Sequence, residues 1–227
     1  MTTGQTTTVE ARPLPRGPHR LTRETVIESQ RGRMIEAIAV AVADKGYAAT
    51  TVGDVVSGAG VSRKTFYEHF TDKEDCFLAA WDTGVQVLFD AILSSRDRES
   101  DPIERMRAGL RAYLTTLAEE PAFARSFFSE VVAAGPRAEA RRAEVHARFA
   151  ELFATIQQQA QRDMPQLPDV PPAISRAAVG AINELVSDYV RSGRTERLPE
   201  LVDTLLYLEL VLFAGHDVAA RATGRRA

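Results

Sequence analysis

Apolar residues recur along this chain at spacings of three and four, the period of helices with one buried face, and beyond Ser94 no stretch alternates as a strand does. Residues 23–45 predict a long first helix. Ile35, Ile38, Ala39 and Val42 fall at i, i+3, i+4 and i+7, with Thr22 as N-cap and Gly46 as C-cap. A shorter helix follows, in which Val52, Val55, Val56 and Ala59 share a face. Gly58 and Gly60 relax the backbone where the chain must turn, Val61 can plug the angle, and Ser62 is a good cap for a third helix. Thr71-Asp72-Lys73-Glu74 then has the form of a capping box, with Glu74 three residues after Thr71. It opens a helix over 72–93 whose apolar side carries Phe77, Trp81, Val85, Leu88 and Phe89.

The remaining pattern adds five helices and makes nine in all. Residues 101–119 place Ile103, Met106, Leu110, Tyr113, Leu114 and Leu117 on one stripe. Phe123, Phe127, Phe128 and Val131 mark 121–134, and Val145, His146, Phe149, Leu152, Phe153 and Ile156 mark 136–162. The prolines of 164–172 predict a loop, because each lacks an amide and disfavours helix in the residue before it. Helices over 173–192 and 198–215 close the chain. The last is apolar on nearly every side and so must be covered on every side. Two readings cover it: a partner subunit or the chain's own core. The fold class is therefore all-α, with an arm at 1–21, a small helical domain at 22–71 and a larger one at 72–227.

Two short helices, a Gly-containing turn and a sharply capped helix are the grammar of a helix-turn-helix, whose second helix enters the DNA major groove. Arg63, Lys64 and Thr65 follow the Ser62 cap, where base contacts are made, and carry side chains suited to guanine edges, phosphates and thymine methyls. Thr51, capping the first of the pair, can offer a phosphate its hydroxyl and the helix N-terminus. Phe66 and Phe70, four apart, belong to the buried side. In the arm Arg12, Arg16 and Arg20 recur, followed by Arg23. These arginines suit either a minor-groove or phosphate contact or a solvated tail.

Residues 31–81 resemble the DNA-binding domain of the TetR (tetracycline repressor) family of transcription regulators. The resemblance is carried by Asp44-Lys45-Gly46-Tyr47, Ala49-Thr50-Thr51-Val52, Ala59-Gly60-Val61-Ser62, Thr65-Phe66-Tyr67, His69-Phe70 and Lys73-Glu74. Val56 and Gly58 depart from the Ala-rich inner face usual in the family's first short helix. The resemblance implies phosphate contacts for Tyr67, His69 and Lys73, a homodimer through the last two helices of each subunit, and a small-molecule effector pocket in the larger domain. Candidates for that pocket are Trp81, Tyr113, Phe123, Phe127, Phe128, Phe149 and Phe153, with His146 and Asn183 as polar members. The same aromatics also read as plain core.

Charge sharpens this picture. The chain carries a formal −3, yet residues 1–65 hold nine basic and six acidic residues, and the remainder is acidic. Basic charge thus gathers where the helix-turn-helix lies, as double-stranded DNA requires. One cysteine, Cys76, excludes an internal disulfide framework and reads as packing. The apolar run 205–215 is broken by Glu209 and is far short of the roughly 20 residues of a membrane span. Residues 1–10 lack a signal peptide's charged start and apolar stretch, so a cytoplasmic protein without a membrane partner is expected. His19, His69, His146 and His216 have no metal-ligand spacing, and no phosphate loop or nucleophile elbow is present. The expectation is a non-enzyme without metal or cofactor: a homodimeric regulator of a near-palindromic operator, released by an unknown small molecule. The alternative is a DNA binder or activator without such an effector.

Overall fold

The computed structural model describes residues 23–99, 101–163, 165 and 167–224, and of residues 23–25 and 163 the backbone alone. The expected cap Thr22 and the arm with Arg20 lie outside the described residues. Among those described the chain is helical, with ten α-helices and no strand. It divides into two compact units, one up to Ala80 and one from Trp81 onward. The division falls inside a helix, later than residue 71, because the first turns of that helix belong to the first unit's core.

In the first unit α1 (Arg23–Ala49) kinks at Gly46, whose φ of 80° no other residue type adopts easily. Met34, Ile38 and Val42 bury one stripe of α1. Ala39, expected on that stripe, is exposed. Against α1 packs α2 (Val52–Ala59), and α3 (Arg63–His69) follows after the turn. Gly58, expected to relax the backbone at the turn, lies inside α2 instead: a Cβ there would stand 3.1 Å from the Ala37 Cβ, so its small size lets α2 lie close on α1. Val55, Ala59, Phe66 and Phe70 complete the core, together with Cys76 and Phe77 from the start of α4 (Lys73–Arg96). Burial pushes the Cys76 thiol up to about 12, and the thiol lies 3.7 Å from the Met34 carbonyl. It is a packing residue.

The cap of α4 differs from the expected box at Thr71 and Glu74. The acceptor is Asp72, which takes the Asp75 amide at 2.7 Å, while the Asp75 carboxylate takes the Thr71 amide at 2.9 Å. Aspartate, a good N-cap with a full negative charge at the helix start, wins the position one residue later.

In the second unit the rest of α4 is joined by α5 (Pro102–Glu119) and α6, which runs Pro121–Arg125 and Val131–Ala133 with a π-helical stretch Ser126–Glu130 between. Then come α7 (Pro136–Asp163), α8 (Ala173–Arg191), a 3-10 segment Thr195–Leu201, α9 (Val202–Phe213) and α10 (His216–Ala222). The wider π turn accommodates consecutive aromatics, and Phe127 and Phe128 are both buried. Nine helices were expected. The tenth exists because Gly215 turns the chain and a new helix starts at once. Pro199, without an amide, explains why 195–201 is 3-10 instead of the start of α9. Arg107 of α5 ties this end down, binding Asp203 at the start of α9 and, at 2.7 Å, the Ala222 carbonyl. By length and composition α4 is apolar enough to cross a bilayer, yet Phe77, Trp81, Val85, Leu88 and Ile92 are core side chains of this protein.

One contact in the first unit invites a direct test. The Lys73 ammonium donates to the Tyr47 carbonyl at 2.8 Å and the Thr50 carbonyl at 2.9 Å, and sits 4.0 Å from the Tyr47 ring centroid. Lys73→Met should lower stability to urea by about 1.5–3 kcal/mol, the range for hydrogen bonds involving a charged group. An unchanged midpoint would show that water replaces the ammonium without loss.

Candidate DNA-binding surface and effector cavity

The recognition helix is built from its cap outward. Gly60 ends α2 in the left-handed conformation at φ 62°, which directs the chain into the turn. Ser62 then accepts the Thr65 amide at 3.0 Å, and the two hydroxyls stand 2.9 Å apart. Phe66 and Phe70 face inward, and the Arg31 guanidinium lies 5.3 Å over the Phe70 ring. With that side fixed, Arg63, Lys64 and Tyr67 are left on the outer face, Tyr67 with 56% of its surface exposed. Lys64 has only a loose 4.0 Å pairing with Glu68. Thr65 and His69 are half-buried at the edges of the same face.

Two expected phosphate contacts look different in three dimensions. Thr51 does cap α2, but in a reciprocal box: its hydroxyl and its amide each donate to Asp54 Oδ2 at 2.7 Å. Hydrogen bonds from Lys45, 2.7 Å away, and from Thr51 hold the Asp54 carboxyl far below its ordinary range, so a fixed negative charge stands at this helix start. The Lys73 ammonium is turned to the Tyr47 and Thr50 carbonyls, and desolvation lowers its pKa. Within the chain both residues also hold the motif in place. Arg20 lies outside the described residues, as does the side chain of Arg23.

In the second unit a cavity of about 70 Å³ opens between α4, α5, α6, α7, α8 and α9. A water needs roughly 10–15 Å³ by this measure, so the space holds several waters or a slender apolar group. Tyr113, Phe127, His146, Phe149, Phe153 and Asn183 all line it, as the sequence suggested. Trp81, Phe123 and Phe128 do not. They form the layer behind, with Trp81 stacked on Phe127 at 5.2 Å and 7°, Phe128 edge-on to the same ring at 4.9 Å, and Phe123 5.7 Å from it. A Cβ on Gly84 would overlap the Phe123 ring, which shows how closely α6 lies on α4. His146 is held below its ordinary pKa by desolvation and by Arg142, opposed by a hydrogen bond with Asn183.

Sequence reasoning missed the two charged-type residues of this wall, Arg96 and Glu209. Glu209 is 2% exposed, its Oε1 has no hydrogen-bond partner, and desolvation, opposed by Arg96, pushes its carboxyl up to about 8. The Arg96 stem lies against Gly109, and desolvation lowers the pKa of its guanidinium. A signal for Glu209 was present: it is the lone acid within the apolar run 205–215.

A helix-turn-helix with an outward basic recognition helix, in one chain with a helical unit that encloses an apolar cavity, defines a class, the DNA-binding transcription regulators. Comparison with known proteins agrees. Residues 34–80 match the family of bacterial regulatory proteins of the tetR type, and residues 99–206 match the tetracyclin repressor-like C-terminal domain, together more than half of the chain. The chain is 29% identical over 222 residues to the HTH-type transcriptional regulator EthR of Mycobacterium tuberculosis, a match spanning 90% of this chain and 95% of EthR. It is 32% identical over 81 residues to the HTH-type transcriptional repressor KstR2 of the same species, spanning 36% and 40%. The regulator FadR from Bacillus subtilis, solved with stearoyl-CoA, shares the fold at a TM-score of 0.69 and 16% identity over 80% of this chain and 97% of that one. The protein belongs to the tetR family.

The buried acid makes stability depend on pH. Glu209 ionises near 4.5 when unfolded and keeps its proton to about 8 when folded, so between those values the folded state binds more protons. Stability then falls as pH rises, by up to about 1.4 kcal/mol per unit. Glu209→Gln should remove that fall. Its gain over wild type in urea unfolding should be small at pH 5, grow to pH 8 and then level off, whereas a gain independent of pH would place the carboxyl elsewhere.

Proposed function

We propose that this regulator is a repressor that binds a near-palindromic operator as a homodimer and is released when a small apolar molecule occupies the second unit's cavity. The observation that carries the DNA half is the exposed row Arg63, Lys64 and Tyr67 on a helix whose opposite side is locked by Phe66 and Phe70. In a dimer two such helices would read half-sites about 34–36 Å apart, one DNA turn. KstR2, named a repressor, supports the sign of regulation. The cavity's lining supports the effector, and FadR from Bacillus subtilis was solved with a ligand that carries a long apolar chain. Because α4 runs without interruption from the first unit into the cavity wall, where Ile92 and Arg96 stand, it is the element through which occupancy is felt at the operator. Release requires that the ligand bind the two states differently; tight binding alone shifts nothing.

The dimer surface is assigned to what α8 and α9 leave uncovered. On α8 the nonpolar ones include Ala177, Gly180 and Leu185, with Gly180 facing open space. On α9 they are Val211, which is exposed, and Leu208 and Leu212, which are half-buried. Leu205, which the all-round apolar pattern also offers to a partner, is 0% exposed and belongs to the subunit's own core. The test is therefore placed at Val211 and Leu185, 37% and 39% exposed. Val211→Glu or Leu185→Glu should convert dimer to monomer in sedimentation while helix content is kept, and a wild type that sediments as a monomer at micromolar concentration overturns the assembly.

For the operator, Arg63→Ala and Lys64→Ala should each weaken binding by about 1–3 kcal/mol where the side chain reads a base, with the melting temperature unchanged. Fluorescence anisotropy at fixed salt checks this. Unchanged affinity in both variants would move the recognition surface elsewhere.

A further inference from the structure

The cavity is apolar along most of its wall, yet two groups in it are built for a polar guest. Glu209 enters from α9 within the apolar run 205–215, is almost wholly buried, and leaves Oε1 without a partner among the described residues. Such a group costs stability unless it is satisfied, and nothing among the described residues satisfies it. Arg96 enters the same wall from α4, half-buried, and its charge is felt by Glu209.

We propose that Glu209 and Arg96 form the head-group site of the effector cavity, and that the effector is an apolar monocarboxylate whose carboxylate they receive. The inference rests on the reading of this cavity as the effector site. Charge balance selects the class of head. Glu209 keeps its proton at neutral pH because burial disfavours the carboxylate, so the empty wall offers two donors, a carboxyl O–H and a guanidinium, and carries one positive charge. A carboxylate guest neutralises that charge and accepts from both donors, while its chain lies along Phe149, Leu152 and Ile156. An ammonium guest would ionise Glu209 and still leave an uncompensated positive charge beside Arg96. A neutral guest would leave the charge as it was.

The other titratable groups around Glu209 do not blur a pH profile. Arg96 of α4 feels the charge of Arg105 of α5, and a guanidinium does not lose its proton in this pH range. Burial raises the Tyr113 phenol on α5, and His146 on α7, held low and bonded to Asn183 of α8, is neutral above pH 7. Between pH 7 and 9 only Glu209 changes charge in this wall.

The experiment uses the full chain with three probes of equal length, octanoate, octylammonium and 1-octanol, read by Trp81 emission, since Trp81 stacks on the cavity residue Phe127. At pH 6.5 octanoate should bind about tenfold more tightly than octylammonium, and its affinity should fall as pH rises through about 8. Glu209→Ala and Arg96→Gln should each weaken octanoate by about tenfold and 1-octanol by less than about threefold. Glu209→Gln keeps a donor, so it should retain octanoate at pH 6.5 and lose the dependence on pH. If 1-octanol binds but octylammonium equals octanoate, or if both Glu209→Ala and Arg96→Gln leave octanoate unchanged, the head-group assignment is wrong while the cavity stands. If none of the three probes shifts Trp81 emission, the cavity reading falls and takes the head-group site with it.

Discussion

The structure depends on covering one helix along its whole length. α4 carries Cys76 and Phe77 into the core of the first unit and Trp81, Val85, Leu88, Phe89 and Ile92 into that of the second. Its apolar composition would be a liability in isolation, since it passes a length and hydropathy test for a membrane span. Each compact unit exists by burying its share: α1, α2 and α3 supply the first cover, and aromatics of α6 and α7 supply much of the second, through the Trp81–Phe127 and Phe89–Phe149 stacks. The same continuity makes α4 the natural carrier of a signal, because neither unit can repack it without altering a helix the other also uses.

At the DNA end, rigidity comes from satisfying helix termini locally. The Thr51–Asp54 box, the Ser62 cap and the Asp72–Asp75 pair hold three successive helix starts, and Lys73 closes the carbonyls left open after the Gly46 kink. Those devices absorb the polar groups at the turns. What remains outward on α3, Arg63, Lys64 and Tyr67, has little to bond within the chain and is available to phosphate and base edges.

In the cavity wall one buried polar atom is left unsatisfied among the described residues. An unpartnered Oε1 on Glu209 is a cost that a core optimised for stability alone would have removed by substitution. Its persistence in an apolar wall fits a site in which the ligand completes the hydrogen bonding, and then binding and stability are linked: the ligand-bound state gains what the empty one lacks. A two-state regulator needs such differential interaction between its forms.

The helices, the motif and most of the aromatic wall were legible in the sequence, because each depends on spacing alone. Period 3.6 places Val52, Val55 and Ala59 on one face wherever the helix lies, and Ser62 caps the helix that follows it. Tyr113, Phe127, His146, Phe149, Phe153 and Asn183 meet because their stripes all point inward. What spacing could not decide was competition among alternatives of similar energy. Asp72 displaced Thr71 as cap, the Lys73 ammonium chose backbone carbonyls, a π turn put Phe127 on the cavity and Phe128 behind it, and Leu205 went to the inner side of a helix apolar all round. Arg96 and Glu209 were hidden for the same reason: they lie more than a hundred residues apart, on helices whose own patterns say nothing of each other, and only the packing of α4, α5 and α9 around one space brings them to a common wall.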